Sequence, residues 1–274
     1  MQVMRIRWGR VVALAALTLW MAASVEAQTG SGVSRPPEVS GYLKPGQRPD
    51  HMLFLPPPPP ADSVLGTADM ALYRATRALE GSARWQLATR DAEIAQRNLL
   101  ADFRCALGVD LIGARAPATI RLLTRASADL FPLVGASKDH YQRPRPFLVE
   151  DLPLCVVPSQ ELARGGSYPS GHSATGWLYA LLLAETAPDR AAAIMARGRA
   201  YGESRVVCGV HYLSDVEGGR TLATTLVAAL NGNTAFERDV AAARRELARL
   251  RAKGAAGGDA TACASEASEL KTPW

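Results

Sequence analysis

Residues 167–186 read SYPSGHSATGWLYALLLAET. A Pro169-Ser170-Gly171 turn leads straight into His172 and then into a helical run that starts at Ser173. Ser before such a run is a helix start signal, because its hydroxyl can take an unpaired backbone N–H of the first turn. The histidine allows two readings. One is a surface residue in the first turn of a capped helix. The other is a proton donor beside an anion site, since helix starts attract negative charge.

Helical patterning extends outward from this stretch in both directions. Before it come TADMALYRATRALE, ARWQLATRDAEIAQRNLLADFRCAL and APATIRLLTRASADLFPLVGASKDHYQ. Gly81-Ser82 separates the first two, and Pro132 is expected to bend or split the third. After it come PDRAAAIMARGRAYGESRVVCG, DVEGGRTLATTLVAALNG and NTAFERDVAAARRELARLRAK. No run of alternating β-branched residues with hairpin turns accompanies them. The expected fold is therefore all-α: a single helical-bundle domain over residues 63–253.

The flanks differ in kind. Residues 1–27 place Arg5, Arg7 and Arg10 before an apolar stretch too short to span a bilayer, and end in Val25-Glu26-Ala27. That is the layout of a signal peptide, which implies a periplasmic or secreted protein with no stable membrane insertion after cleavage. Residues 28–62 form a Pro/Gly-rich extended lead-in closing on Pro56 to Pro60, a polyproline stretch. Residues 254–274, small and polar, read as a loose C-terminal tail apart from whatever Cys263 anchors.

Composition narrows the function. The chain has 274 residues, 48% hydrophobic and 21% charged, which is globular. Its formal charge of +5 drops to +3 without residues 1–27, too mild for nucleic acid binding, and no Lys/Arg run suggests it. Export favours disulfides for Cys105, Cys155, Cys208 and Cys263, which lack the C-x-x-C spacing of a structural zinc site. Four cysteines allow three pairings and spacing does not choose among them; one of the three, Cys155 with Cys208, would brace segments that could carry chemistry and leave Cys105 with Cys263.

Three clusters carry the chemistry. His211 and Asp215 stand four apart, the spacing at which a carboxylate can fix a ring tautomer and free the other nitrogen to attack. The alternative is a helix-capping aspartate beside a loop histidine. Lys138, Arg143 and Arg145 surround Pro144 and Pro146, whose stiffness suits arginines held out for an oxyanion. Spacing alone leaves open which arginine binds. His172 completes the set. No acidic cluster suits a catalytic metal pair.

Together these spell K-x6-R-P, P-S-G-H and S-R-x5-H-x3-D, filled by Lys138 to Pro146, Pro169 to His172 and Ser204 to Asp215. The sequence thus resembles the type 2 phosphatidic acid phosphatase superfamily, which includes the vanadium haloperoxidases. More narrowly it resembles the bacterial class A non-specific acid phosphatases, through LPPPPPADS, GSYPSGHSATGW and AFERDVAAARRELA, over roughly residues 52–250.

The resemblance implies roles. Lys138, Arg145 and Arg205 would hold phosphate oxygens, with Ser170 and Gly171 adding a hydroxyl and backbone donors. His211 would be the nucleophile, Asp215 its orienting partner, and His172 the general acid and then base. His211 must then be neutral and His172 protonated, which favours a mildly acid optimum. The implied activity is hydrolysis of small-molecule phosphomonoesters with no cofactor, the pocket accepting phosphate or vanadate. A lipid phosphate or pyrophosphate phosphatase, a vanadate-dependent haloperoxidase and a non-catalytic phosphate binder are the alternatives. Family habit also suggests a homo-oligomer.

Overall fold

The computed structural model describes residues 39–271; the expected signal peptide lies outside the described residues. Twelve helices follow one another: α1 Val64–Ala75, α2 Ala83–Arg90, α3 Gln96–Asp102, α4 Arg104–Leu107, α5 Pro117–Tyr141 and α6 Pro146–Val149, then α7 Gln160–Arg164, α8 Gly171–Thr186, α9 Ala191–Val207, α10 Leu213–Leu230, α11 Thr234–Ala252 and α12 Ala260–Glu269. No strand occurs among the described residues. The all-α expectation holds.

The quoted stretch becomes the central helix. α8 buries residues on every side, from Ser173 to Leu183, as a helix apolar all round must. α5, α9, α10 and α11 pack around it. Close approach to α9 depends on two glycines. A Cβ on Gly176 would strike the Tyr201 ring, and one on Gly198 would strike Ala180 Cβ. Serine, asparagine and aspartate caps start the helices where the sequence provides them: Ser63, Ser82, Ser170, Asn233 and Asp259 each accept a first-turn N–H.

Three expectations need correction. Of the two outcomes expected at Pro132, a bend or a split, the split is overturned: α5 runs unbroken for 25 residues. Its neighbours Leu130, Leu133 and Val134 are buried, so packing holds the helix where propensity would interrupt it. The single helix expected over 83–107 is instead α2, α3 and α4. It breaks at Asp91, a fully buried carboxylate drawn aside to pair with Arg197 at 2.6 Å. The residues after 253 are not simply a loose tail, because α12 docks through the Cys105–Cys263 disulfide and an Arg199 bond to the Leu270 carbonyl, 2.8 Å. Both disulfides, Cys105–Cys263 and Cys155–Cys208, pair as the sequence suggested.

The lead-in from residue 39 is irregular but pinned. Tyr42 N donates to Asp129 of α5 at 2.6 Å, and its hydroxyl to Asp239 of α11 at 2.8 Å. The prolines then run past Tyr168, whose hydroxyl donates to the Pro56 carbonyl at 2.7 Å.

Candidate active site

Four chain segments meet at one end of α8. The last turns of α5 present Lys138, and Gln142 closes that helix in the left-handed region at φ 44°. The following Arg143-Pro144-Arg145-Pro146 stretch is held out of helical geometry by its prolines. Its two arginines reach opposite ends of one histidine–aspartate pair. Arg145 Nη1 lies 3.1 Å from His211 Nε2, whereas Arg143 Nη1 donates to Asp215 Oδ1 at 2.6 Å. The two arginines part in three dimensions: Arg145 faces the ring nitrogen, and Arg143 faces the carboxylate.

His211 precedes α10, and Asp215 sits in that helix's first turn. Asp215 Oδ2 accepts from Tyr212 N at 2.9 Å and lies 3.3 Å from His211 Nδ1. Asp215 is not the N-cap itself: Tyr212 is, and Asp215, third in α10, takes the Tyr212 N–H while lying against the His211 ring. Ser167 Oγ adds a donor to the same oxygen. A carboxylate only accepts, so Nδ1 carries the hydrogen and Nε2 keeps its lone pair. In this tautomer the ring turns its unprotonated nitrogen toward the cations.

Lys138 donates to the Gly166 carbonyl, and Arg145 Nε to the Gly165 carbonyl at 3.2 Å. Arg205, at the end of α9, is buried, and its Nε and Nη1 have no hydrogen-bond partner among the described residues. Burying a guanidinium without a partner costs several kcal/mol, about 3–5 by analogy with broken buried pairs. An oxyanion bound here would relieve that cost. Ser170 caps α8 through Ser173 N at 3.3 Å, and its own N–H is taken by the Asp215 carbonyl at 2.9 Å. Its hydroxyl hydrogen, and the backbone at Gly171, are thus what the turn has to offer an anion.

His172, partly exposed, directs Nε2 at the Ala92 carbonyl, 2.9 Å away. A carbonyl cannot donate, so Nε2 bears a hydrogen and Nδ1 is the nitrogen free to exchange a proton. The electrostatics follow from crowding. Burial, then Arg145, brings Lys138 down to about 7. Burial, then Arg205, brings Arg145 down to about 10. Burial lowers both histidines well below their usual range, with Arg205 adding to it at His172 and Arg145 at His211. The neutral His211 of the sequence expectation fits. The protonated His172 does not, since burial and then Arg205 disfavour its charged form; a bound anion would oppose the second of these.

All eight expected residues come together. Sequence reasoning missed the assignment of Arg143 to Asp215, the contributions of Ser167 and Asp69, and the Ala92 carbonyl. Asp69 accepts from Arg143 Nη2 at 2.9 Å, which completes a bridge between the two carboxylates. The Pro-flanked Arg143 was visible in sequence; a backbone carbonyl has no residue-type signal.

Comparison with known proteins points the same way. The PAP2 superfamily profile matches residues 118–235, a span that includes every one of these eight positions. A protein named acid phosphatase from Zymomonas mobilis subsp. mobilis is 40% identical over 243 residues, covering 88% of this chain and 91% of its own. A non-specific acid phosphatase of Providencia stuartii is 38% identical, covering 81% and 90%. One from Salmonella typhimurium is 34% identical, covering 76% and 84%.

Proposed function

Because this chain belongs to the PAP2 superfamily, with the acid phosphatases as its relatives, we propose that it hydrolyses phosphomonoesters through a phosphohistidine, without a metal, outside the cytoplasm. The observation that carries the reading is the engagement of His211: Asp215 at Nδ1 and the Arg145 guanidinium at Nε2. The phosphoryl group of the substrate takes its place among Lys138, Arg145 and Arg205, with the Ser170 hydroxyl and the α8 start adding donors. Phosphoryl transfer asks mainly for positioning and charge stabilisation, and this cluster provides both.

In the first step His211 Nε2 bonds to phosphorus as the bond to the ester oxygen breaks. His172 gives that oxygen its proton, so the alcohol leaves neutral. In the second step water attacks the phosphohistidine, His172 takes the water's proton, and His211 is released with inorganic phosphate. The substrate's negative charge is what raises His172 into its proton-donating form. Inorganic phosphate and vanadate should both occupy the same pocket as inhibitors.

In this reading Lys138, Arg145 and Arg205 supply the charge stabilisation a metal would otherwise give; among the described residues no group of three or more His, Cys, Asp or Glu is placed to hold one. Beside Lys138 and Arg143 an open cleft of about 550 Å³, lined also by Gly165 and Gly166, leaves room for leaving groups of different size. Export is supported by the leader pattern and by two disulfides. Among the described residues no helix is long and apolar enough to cross a membrane.

The test is brief incubation of the protein with a labelled phosphomonoester, followed by a search for acid-labile, alkali-stable label on histidine. His211→Ala should abolish the label. Label persisting in that variant would overturn the nucleophile, and loss of activity on complete chelation would overturn metal independence.

A further inference from the structure

Asp91 and Arg197 form a fully buried ion pair that makes no hydrogen bond to the phosphate-facing residues named so far. Its geometry is bidentate: Arg197 Nη2 to Asp91 Oδ1 at 2.6 Å and Nη1 to Oδ2 at 3.2 Å. Ser204 Oγ, two helical turns further along α9, donates to the same Oδ2. Arg197 Nε is anchored in turn on the Asp102 carbonyl at 3.0 Å. A buried ion pair is poor value for stability alone, because an apolar pair of equal volume usually does as well. Its placement suggests another use.

The pair sits at the point where the helix expected over 83–107 breaks. Asp91 is the first residue beyond α2, and Ala92 is the next. In an unbroken helix the Ala92 carbonyl would accept from the N–H four residues on and be lost to the helical ladder. Instead it lies 2.9 Å from His172 Nε2. That bond decides which ring nitrogen keeps its hydrogen and therefore which one exchanges a proton.

We propose that Asp91 is a positioning residue for the acid histidine: clamped by Arg197 and Ser204, it holds the chain break that aims the Ala92 carbonyl at His172 Nε2. This inference rests on His172 being the general acid. It adds a second residue tier to the site, one that acts on departure of the alcohol and not on grip of the phosphate.

That distinction supplies the test. A positioning defect at the acid harms substrates whose leaving group needs a proton, whereas a general structural defect harms all substrates alike. The quantity to compare is kcat/KM, which covers every step through release of the alcohol. The substrates are p-nitrophenyl phosphate, with a weakly basic leaving group, and glycerol 2-phosphate, with a strongly basic one. Asp91→Asn should lower kcat/KM for glycerol 2-phosphate about tenfold more than for p-nitrophenyl phosphate, a fraction of the 10²–10⁴-fold that general acid catalysis supplies. Inhibition by inorganic phosphate should change less than about twofold, since the substitution removes no hydrogen bond to the residues that grip phosphate and Asp91 acts on Arg205 only through its charge.

His172→Ala is the control. If it shows no selective loss on glycerol 2-phosphate, the acid assignment falls, and this proposal with it. If it does show that loss and Asp91→Asn affects both substrates equally, or neither, the positioning role alone is overturned. Should Asp91→Asn fail to fold, Ala92→Gly loosens the same turn without removing a buried charge. The same selective loss, smaller in size, is expected there, and an equal loss on both substrates counts against the proposal.

Discussion

Arg143 bridges two buried carboxylates, donating to Asp215 Oδ1 at 2.6 Å through one amino group and to Asp69 Oδ2 at 2.9 Å through the other. Asp69 in turn accepts from the Ser214 backbone at 3.0 Å, so α1 is tied to the start of α10 just beside His211. The planar fork of arginine makes this possible, and a lysine could serve only as a point charge. Arg143→Lys is therefore expected to fold but to let Asp215 drift. A misplacement on the order of 1 Å costs about 10²-fold in rate. The fall should appear in kcat, with inhibition by phosphate nearly unchanged, because Lys138, Arg145 and Arg205 remain. Arg143→Ala leaves two buried carboxylates without their cation and should cost about 3–5 kcal/mol in denaturant melts.

The crowded cations set a pH dependence of stability whose sign can be worked out. Lys138 falls from 10.5 to about 7 in the folded protein, through burial and then Arg145. Between those two values the unfolded chain holds a proton that the native one lacks, so stability rises with pH across that window. Both histidines are also lowered, from 6.5, chiefly by burial. Below 6.5 the unfolded chain again holds more protons, and stability falls as pH falls. A bound anion opposes both effects. Sulfate keeps one charge over this range and so reports on the protein's protons alone. Melting curves with and without millimolar sulfate should show a larger gain in Tm at about pH 5.5 than at about pH 8.5; at about a hundredfold excess over Kd the gain approaches 2.7 kcal/mol. An equal gain at both pH values would remove Lys138 and the histidines from the anion site.

Much of this site could be read from sequence because its side chains come from rigid elements with fixed offsets. Lys138 is on α5, Arg205 on α9, and His211 and Asp215 flank the start of α10, so residue type and spacing encode their positions. What escaped reading was tertiary. Asp91 looks like an ordinary polar residue in a helical pattern, and only Arg197, over a hundred residues away, pulls it out of one. The Ala92 carbonyl acquires its function from that displacement and has no side-chain signature at all. α12 escaped for a different reason. Its Ala- and Ser-rich sequence buries no residue, and a disulfide with three arginine contacts does the work that an apolar face would do elsewhere.

The α8–α9 crossing gives a prediction of opposite signs at two glycines. Replacing a helical Gly by Ala ordinarily stabilises by about 1 kcal/mol. At Gly135 of α5 a new Cβ meets nothing within 4 Å, so Gly135→Ala should raise Tm by about that amount. At Gly198 the new methyl strikes Ala180, and both helices are held by packing on their other faces. Overpacking of this kind costs about 1–3 kcal/mol, which exceeds the propensity gain. Gly198→Ala should therefore lower Tm. Equal stabilisation at both sites would mean that the two helices can part without cost.

The two disulfides should separate stability from activity. Cys155–Cys208 closes a loop across a sequence separation of 53, and Cys208 stands three residues from both Arg205 and His211. Cys155 N also donates to the Cys208 carbonyl at 3.2 Å, so this bridge fixes the chain between Arg205 and His211. Cys105–Cys263 spans 158 residues and ties α12 to α4, away from those groups. With no buried residue of its own, α12 can open locally once its bridge is gone, leaving the bundle closed. Replacing Cys105 and Cys263 by Ala should therefore expose the chain beyond residue 253 to limited proteolysis while kcat/KM stays within about twofold. Replacing Cys155 and Cys208 by Ala should lower kcat/KM about tenfold or more, since the segment joining Arg205 to His211 loses its brace. If the first pair proved the more damaging to activity, α12 would have to be reinstated as part of the site, acting through Arg197 on the turn that faces His172.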